Sequence, residues 1–190
     1  VGLDDTLKWI EPSSSAASPP TAVSLSGQPR SLAVSQASGT AFVATTSSSA
    51  GGNFDVISAG SGTKSASQTL PGMPGAIAVH PKGDIVVVGS EDAKVRLFAV
   101  SSSGGAVKEL SGSTLSNGKT AITALAFSPD GTLLAAGESS GKIVVYDVSG
   151  ISASGGGEGK VKILHWVFHT ARINSIAFSP DGEAAVSGSL

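Results

Sequence analysis

The chain contains no cysteine and has few charged or aromatic residues. The absence of cysteine from all 190 residues excludes a disulfide framework and a thiolate metal site. Charged residues make up 14% of the chain, the formal net charge is −2, and no basic stripe is interleaved with aromatic residues. We therefore expect no nucleic-acid partner. No apolar run approaches the roughly 18 residues of a membrane span, so we expect no membrane partner either.

Short aliphatic runs and turn-forming residues dominate the composition of the chain. Hydrophobic residues account for 40% of the chain, and it contains 25 glycines and 9 prolines. Val, Ile, Leu and Ala in short runs, separated by Gly, Pro and Ser, indicate many short strands joined by turns. The composition therefore predicts an all-β fold.

Four segments repeat one pattern, at positions 29–39, 74–83, 121–131 and 172–182. Their central alanines, Ala33, Ala78, Ala126 and Ala177, recur at intervals of 45, 48 and 51 residues. This period is close to the length of one blade of a β-propeller.

Each unit continues with two further apolar runs, such as 133–137 and 143–148, which gives three strands. A less regular fourth strand can be placed before each unit, for example at 161–168, to complete a four-stranded antiparallel sheet. The tetrapeptides at 128–131 and 179–182 read Ser-Pro-Asp-Gly, which favours a tight hairpin turn, and His-Pro-Lys-Gly at 80–83 predicts the same turn. Runs that are apolar on both faces predict that the sheets stack face to face.

We divide the chain into repeat units within one partial propeller covering residues 1–190. The end of one blade lies at about 1–10, and units follow at 28–58, 73–100, 121–148 and, incomplete, 161–190. Loops rich in Ser and Gly are expected at 11–27, 101–120 and 149–160.

These residues resemble WD repeats, whose units carry a His, a Ser or Thr, an Asp and a Trp in one hydrogen-bonded set. No repeat here shows all four, and Phe98 and Tyr146 stand where Trp is commonest. The residues that resemble members of the set are Asp5, Asp92, His169 and Ser187. The resemblance implies about four four-stranded blades of a seven-bladed WD40-type ring.

A narrower resemblance rests on the string WVFHTARIN at 166–174, followed by 177–181 and 187–190. It is similar to the late repeats of the actin-interacting protein 1 family, and the similarity extends over essentially the whole chain. The resemblance implies a protein of two seven-bladed propellers that binds actin filaments together with cofilin and promotes filament severing and disassembly. It also implies a cytoplasmic protein of the cortical actin cytoskeleton, with this chain as about half of the C-terminal propeller.

The chain would then begin in the last strand of one blade and stop before the third strand of another. Because a propeller protects its sheet edges by closing the ring, we expect these 190 residues alone to expose two blade faces and to fold poorly or aggregate.

Catalytic or metal-binding chemistry finds little support in the sequence. His165 and His169 lie four residues apart, but in a strand that spacing separates them by about 13 Å. The glycine-rich segment 155–160 lacks the Ser or Thr that follows the lysine of a phosphate-binding loop. We therefore expect no enzyme activity, no cofactor and no small-molecule substrate. A propeller enzyme would need inward-facing His and carboxylate ligands, and no convincing set is present.

Basic residues are the candidates for contact with an acidic partner surface, with ordinary solvated charges as the simpler interpretation. The candidates are Arg30, Lys94, Arg96, Lys142 and Arg172. An alternative function is that of a generic WD40 adaptor, such as an assembly platform or a substrate receptor, without actin binding.

Overall fold

The computed structural model describes residues 6–9, 21–47, 51–58, 60–101, 105–110, 114–116, 119–155, 160–166 and 169–190. The strands in these ranges are β1 (Thr6–Trp9), β2 (Thr21–Ser24), β3 (Gln28–Ser35), β4 (Thr40–Thr46), β5 (Gly52–Ser58), β6 (Thr63–Leu70), β7 (Pro74–Val79), β8 (Ile85–Ser90), β9 (Val95–Val100), β10 (Val107–Glu109), β11 (Ile122–Phe127), β12 (Leu133–Glu138), β13 (Ile143–Asp147), β14 (Lys160–Trp166), β15 (Ile173–Phe178) and β16 (Ala185–Ser189).

The strands form antiparallel sheets in chain order. Three sheets have four strands, β3 to β6, β7 to β10 and β11 to β14, while β1 pairs with β2 and β15 pairs with β16. The first strands of successive sheets, β3, β7, β11 and β15, lie next to one another. This is the arrangement of a partial β-propeller, which confirms the predicted fold class. The described residues form three complete four-stranded blades where the sequence suggested about four.

The outer strand of each blade differs from the sequence prediction. The strand expected at 161–168 was placed ahead of the unit that follows it, but β14 pairs with β13 and so completes the preceding blade. The predicted loops 11–27 and 101–120 contain β2 and β10. Strand β6 lacks an apolar signal because its residues are mainly small and polar and most of them are exposed or half-buried.

Four apolar clusters fill the spaces between neighbouring sheets. One joins the β3 to β6 sheet to the β7 to β10 sheet, where Phe54 and Phe98 meet edge to face at 4.8 Å between ring centroids. A second joins that sheet to the β11 to β14 sheet around Leu97, Leu134 and Tyr146. The other two lie on either side of these. Middle strands are buried on both faces, as predicted from their continuous apolar runs.

The first strand of each sheet from β3 onward, called here the inner strand, carries a β-bulge near its beginning. The four bulged residues are Arg30, Gly75, Thr123 and Asn174. The bulges bring adjacent blades into close contact. A Cβ at Gly75 would lie 2.2 Å from the Ile122 carbonyl oxygen, so only glycine fits there. At the equivalent position one blade further on, the Thr123 hydroxyl donates to the Ile173 carbonyl at 2.6 Å.

The antiparallel pairing gives the stacked sheets two different edges. We name the first of them the start edge. The inner strands begin there, and it contains the turns that join the second strand of each blade to the third. At the second, the hairpin edge, each inner strand turns into its neighbour. The predicted turns are confirmed there: the amides of Gly83, Gly131 and Gly182 donate to the carbonyls three residues earlier, and all three glycines have φ near +75°.

Candidate protein-binding edge

Polar side chains at the start edge tie together the strands of a blade, the turn after its second strand and the segment that leads into it. In the last blade, His169 Nε2 lies 2.8 Å from Ser187 Oγ. His169 comes four residues before β15 begins, and Ser187 lies on β16. Ser189 Oγ adds a bond to the Ala171 carbonyl at 2.9 Å. We name such a group a polar bridge. The structure thus brings together two of the residues that resemble the WD-repeat set.

In the β7 to β10 blade, the corresponding bridge is an ion pair. Both guanidinium nitrogens of Arg96 donate to the Asp92 carboxylate, at 3.2 and 2.5 Å, and the Lys94 amide donates at 3.3 Å. Partial burial opposes ionisation of Asp92, but the hydrogen bonds and charge of Arg96 outweigh it, so the pKa of Asp92 lies below its ordinary value.

The strand register explains why this blade has an ion pair where the last blade has the His169 and Ser187 pair. Leu70 lies four residues before β7, as His169 does before β15, and Val88 occupies the position of Ser187. Both are buried in one apolar cluster. Asp92 therefore has no histidine partner, and it pairs with Arg96, which lies directly opposite Val88 on β9.

The β11 to β14 blade uses a buried glutamate. Glu138 ends β12 with 2% exposure, and its Oε2 accepts hydrogen bonds from Thr120 Oγ1 at 2.9 Å and from Ser140 Oγ at 3.1 Å. Thr120 belongs to the segment leading into the blade, and Ser140 lies in the turn after β12. The bridge again fastens the incoming segment to the second strand and its turn, through residues of a different type.

A fourth bridge lies in the β3 to β6 blade. Asp55, fully buried on β5, accepts hydrogen bonds from the Ser26 amide at 2.6 Å and from the Ser26 hydroxyl at 2.7 Å. The Lys64 ammonium lies 3.9 Å from the same carboxylate. Sequence reasoning missed Asp55 and Glu138 as bridge residues. Asp55 is a charged residue inside a largely apolar strand run and Glu138 is one at the end of such a run, which is the signal that could have identified them.

The structure places four of the five basic candidates at the start edge. Arg30 is exposed in the bulge of β3, Lys94 and Lys142 immediately precede β9 and β13, and Arg172 precedes β15. Arg96 is a correction: it is 6% exposed and held by Asp92, so it is not available for partner contact. Asp5 lies outside the described residues.

Charge differs between the two edges. The start edge carries the four exposed or half-exposed basic residues just described, with Glu91 as an exposed acid beside them. The hairpin edge is rich in carboxylates, namely Asp84, Asp130, Asp147, Asp181 and Glu183, with Lys82 among them. Hydrogen bonds from Ser128 and Thr132 lower the pKa of Asp130 to about 2, which keeps its carboxylate charged. The two edges therefore suit partners of opposite charge.

The hairpin edge also contains a cleft of about 230 Å³ between two blades, lined by His80, Asp84 and Asp130 among others. His80 Nδ1 lies 3.1 Å from Asp84 Oδ1, and the His80 ring contacts Phe127 edge to face. In the described ranges, no group of three or more His, Asp or Glu residues is arranged to hold a metal ion. The same ranges contain no helix that is long and apolar enough to cross a membrane.

Comparison with known proteins identifies the repeats. The WD domain, G-beta repeat model matches residues 160–190, and the model of the anaphase-promoting complex subunit 4 WD40 domain matches residues 80–169. These are WD40 repeats.

Curated proteins resemble the chain over its whole length. Actin-interacting protein 1 of Caenorhabditis elegans is 30% identical over 200 residues, and the 66 kDa stress protein of Physarum polycephalum is 31% identical over 193 residues. Both alignments cover 100% of this chain and 28% of the relative. WD repeat-containing protein 1 of Rattus norvegicus is 37% identical over 117 residues, covering 62% of this chain and 17% of that protein. The predicted resemblance to actin-interacting protein 1 is confirmed, and the chain spans less than a third of these relatives.

Proposed function

We propose that this chain is part of an actin-filament-binding scaffold that cooperates with cofilin to promote filament severing and disassembly. The observation that carries the proposal is the alignment of the entire chain with a protein named for its interaction with actin, at 30% identity. The WD40 architecture supports it, because stacked blades present rigid edges for protein contact.

The mechanism requires binding energy and no covalent chemistry. A scaffold that binds a cofilin-weakened filament lattice more tightly than an intact one shifts the equilibrium toward the weakened state by its difference in affinity. The polar bridges suit this role because they fix the turns of the start edge before a partner arrives, which lowers the entropic cost of binding. The proposed location is the cytoplasm, at the actin cytoskeleton.

A second candidate is a WD40 adaptor that organises a protein assembly without binding actin. The match of residues 80–169 to the WD40 domain of an anaphase-promoting complex subunit favours it, because that domain belongs to a multi-subunit complex. The two candidates share the fold and differ in the partner.

Sedimentation of actin filaments separates them. Filaments would be centrifuged with cofilin alone, with the whole protein alone and with both, and the actin remaining in the pellet would be measured. We expect a loss of pelleted actin that requires both proteins. An unchanged pellet, with the protein left in the supernatant, would refute the actin proposal and leave the adaptor as the candidate.

A further inference from the structure

Two lysines of the start edge hold the same position in successive blades. Lys94 follows Ala93, whose φ is 62°, and Lys142 follows Gly141, whose φ is 87°. Each turn is closed by the same backbone bond, from the Ala93 amide to the Ser90 carbonyl and from the Gly141 amide to the Glu138 carbonyl, both at 3.2 Å. The register then places Lys94 and Lys142 one residue before the third strand of their blades. The repeat therefore places two lysines at equivalent backbone positions, one blade apart.

Arg172 extends this arrangement to the next blade. A Cβ at Gly141 would lie 2.4 Å from the His169 carbonyl oxygen and 2.9 Å from the Ala171 carbonyl oxygen, so the turn carrying Lys142 packs against the segment carrying Arg172. The Arg172 side chain is exposed. We name Lys94, Lys142 and Arg172 the basic rim.

Two bridges hold the turns of the basic rim, and the carboxylate of one of them is neutralised. Asp92 accepts from the Lys94 amide and is neutralised by Arg96. Glu138, in the turn of Lys142, is 2% exposed and bonded to Thr120 and Ser140. Glu91 is the exposed carboxylate next to the rim. Lys94 and Arg172 are exposed and Lys142 is half-exposed, while Asp92 is paired with Arg96 and Glu138 is buried.

We propose that the basic rim is the contact surface of this chain for an acidic protein surface, which under the function proposed above, on which this inference rests, belongs to the actin filament. Two lysines that follow rigid turns, with an arginine on the segment packed beside one of them, suit a rigid partner surface with its own array of carboxylates. The contact would add long-range attraction, which raises the association rate and weakens with added salt. The carboxylate-rich hairpin edge would face away from the filament.

The test uses three variants of the whole protein and filament co-sedimentation at two salt concentrations. Lys142→Glu with Arg172→Glu reverses two charges of the rim, and we expect about tenfold weaker binding at low salt. The matched control, Lys82→Glu with Lys108→Glu, makes the same change at exposed lysines away from the start edge and is expected to bind as the wild type does. Glu91→Gln removes the neighbouring acid, and we expect about twofold tighter binding.

The Glu91→Gln variant separates electrostatics from damage to the fold, because a folding defect does not strengthen binding. Wild-type binding to filaments tests the function itself, whereas the differences among variants test the rim. If the wild type binds and the rim and control variants lose affinity equally, or none does, the basic rim is wrong while the proposed function stands. If the wild type does not bind filaments, the proposed function fails, and the inference fails with it.

Discussion

The ion pair between Asp92 and Arg96 gives a quantitative test of the bridge concept, because its two partners differ in burial. The side chain of Arg96 is 7% exposed, whereas that of Asp92 is 32% exposed. Removing Asp92 strands a guanidinium among apolar residues, which for a buried pair costs about 3 kcal/mol. Removing Arg96 leaves a carboxylate that water can solvate, so Arg96→Met is expected to cost only about 1 kcal/mol.

The double variant completes the argument. With Asp92→Ala and Arg96→Met together, no charge remains uncompensated and methionine fills part of the space, so the cost is expected at about 1.5 kcal/mol. The costs of the two single variants would then add up to about 2.5 kcal/mol more than the cost of the double variant. Urea denaturation of the whole protein can resolve a coupling of this size. Equal costs for the two single variants, or a double variant whose cost is their simple sum, would refute the asymmetry and with it the structural role of the pair.

Three further predictions concern other positions. Gly75→Ala is expected to cost about 2 kcal/mol in urea denaturation because its Cβ meets a backbone carbonyl of the next blade, whereas Gly150→Ala, which faces open space, is expected to be neutral; equal effects would contradict the close blade contact. His169→Ala and Ser187→Ala are each expected to cost about 1 kcal/mol and to be non-additive when combined; full additivity would show that the hydrogen bond contributes nothing. Because its pKa is lowered to about 2, Asp130 stabilises the fold above the unfolded-state pKa near 4, and this contribution is lost as the pH falls toward 2. The melting temperatures of the wild type and Asp130→Asn are therefore expected to differ at pH 7 and to converge near pH 2, and a difference independent of pH would contradict the assignment.

Inner strands and hairpin turns could be predicted because their signals are local. The Ser-Pro-Asp-Gly turn contains its own hydrogen-bond partners, with Ser128 and Asp130 only two residues apart. The apolar runs of the middle strands reflect burial on both faces, which the blade stack then supplies. The outer strands β6 and β10 lacked such a signal because they contribute few core residues.

The polar bridges could not be derived from the sequence because their partners are set by long-range register. Ser26 and Asp55 are 29 residues apart, and Thr120 and Glu138 are 18 apart. The His, Ser, Asp and Trp set is defined by fixed residue types at fixed positions. In three blades a polar contact joins the incoming segment to the blade, in the fourth an ion pair joins the turn to the third strand, and the residue types vary from blade to blade.

This variation follows from the energetics of burial. A buried polar group is tolerated only when it is satisfied, and an apolar pair of matching shape can replace a hydrogen-bonded pair at little cost. In one blade, the apolar pair Leu70 and Val88 occupies the positions that the hydrogen-bonded pair His169 and Ser187 holds in another. Once that pair is apolar, the turn above it needs a different anchor for its aspartate, and Arg96 supplies one from the neighbouring strand. Each blade can therefore lose the WD40 signature and keep the rigid turn on which the basic rim depends.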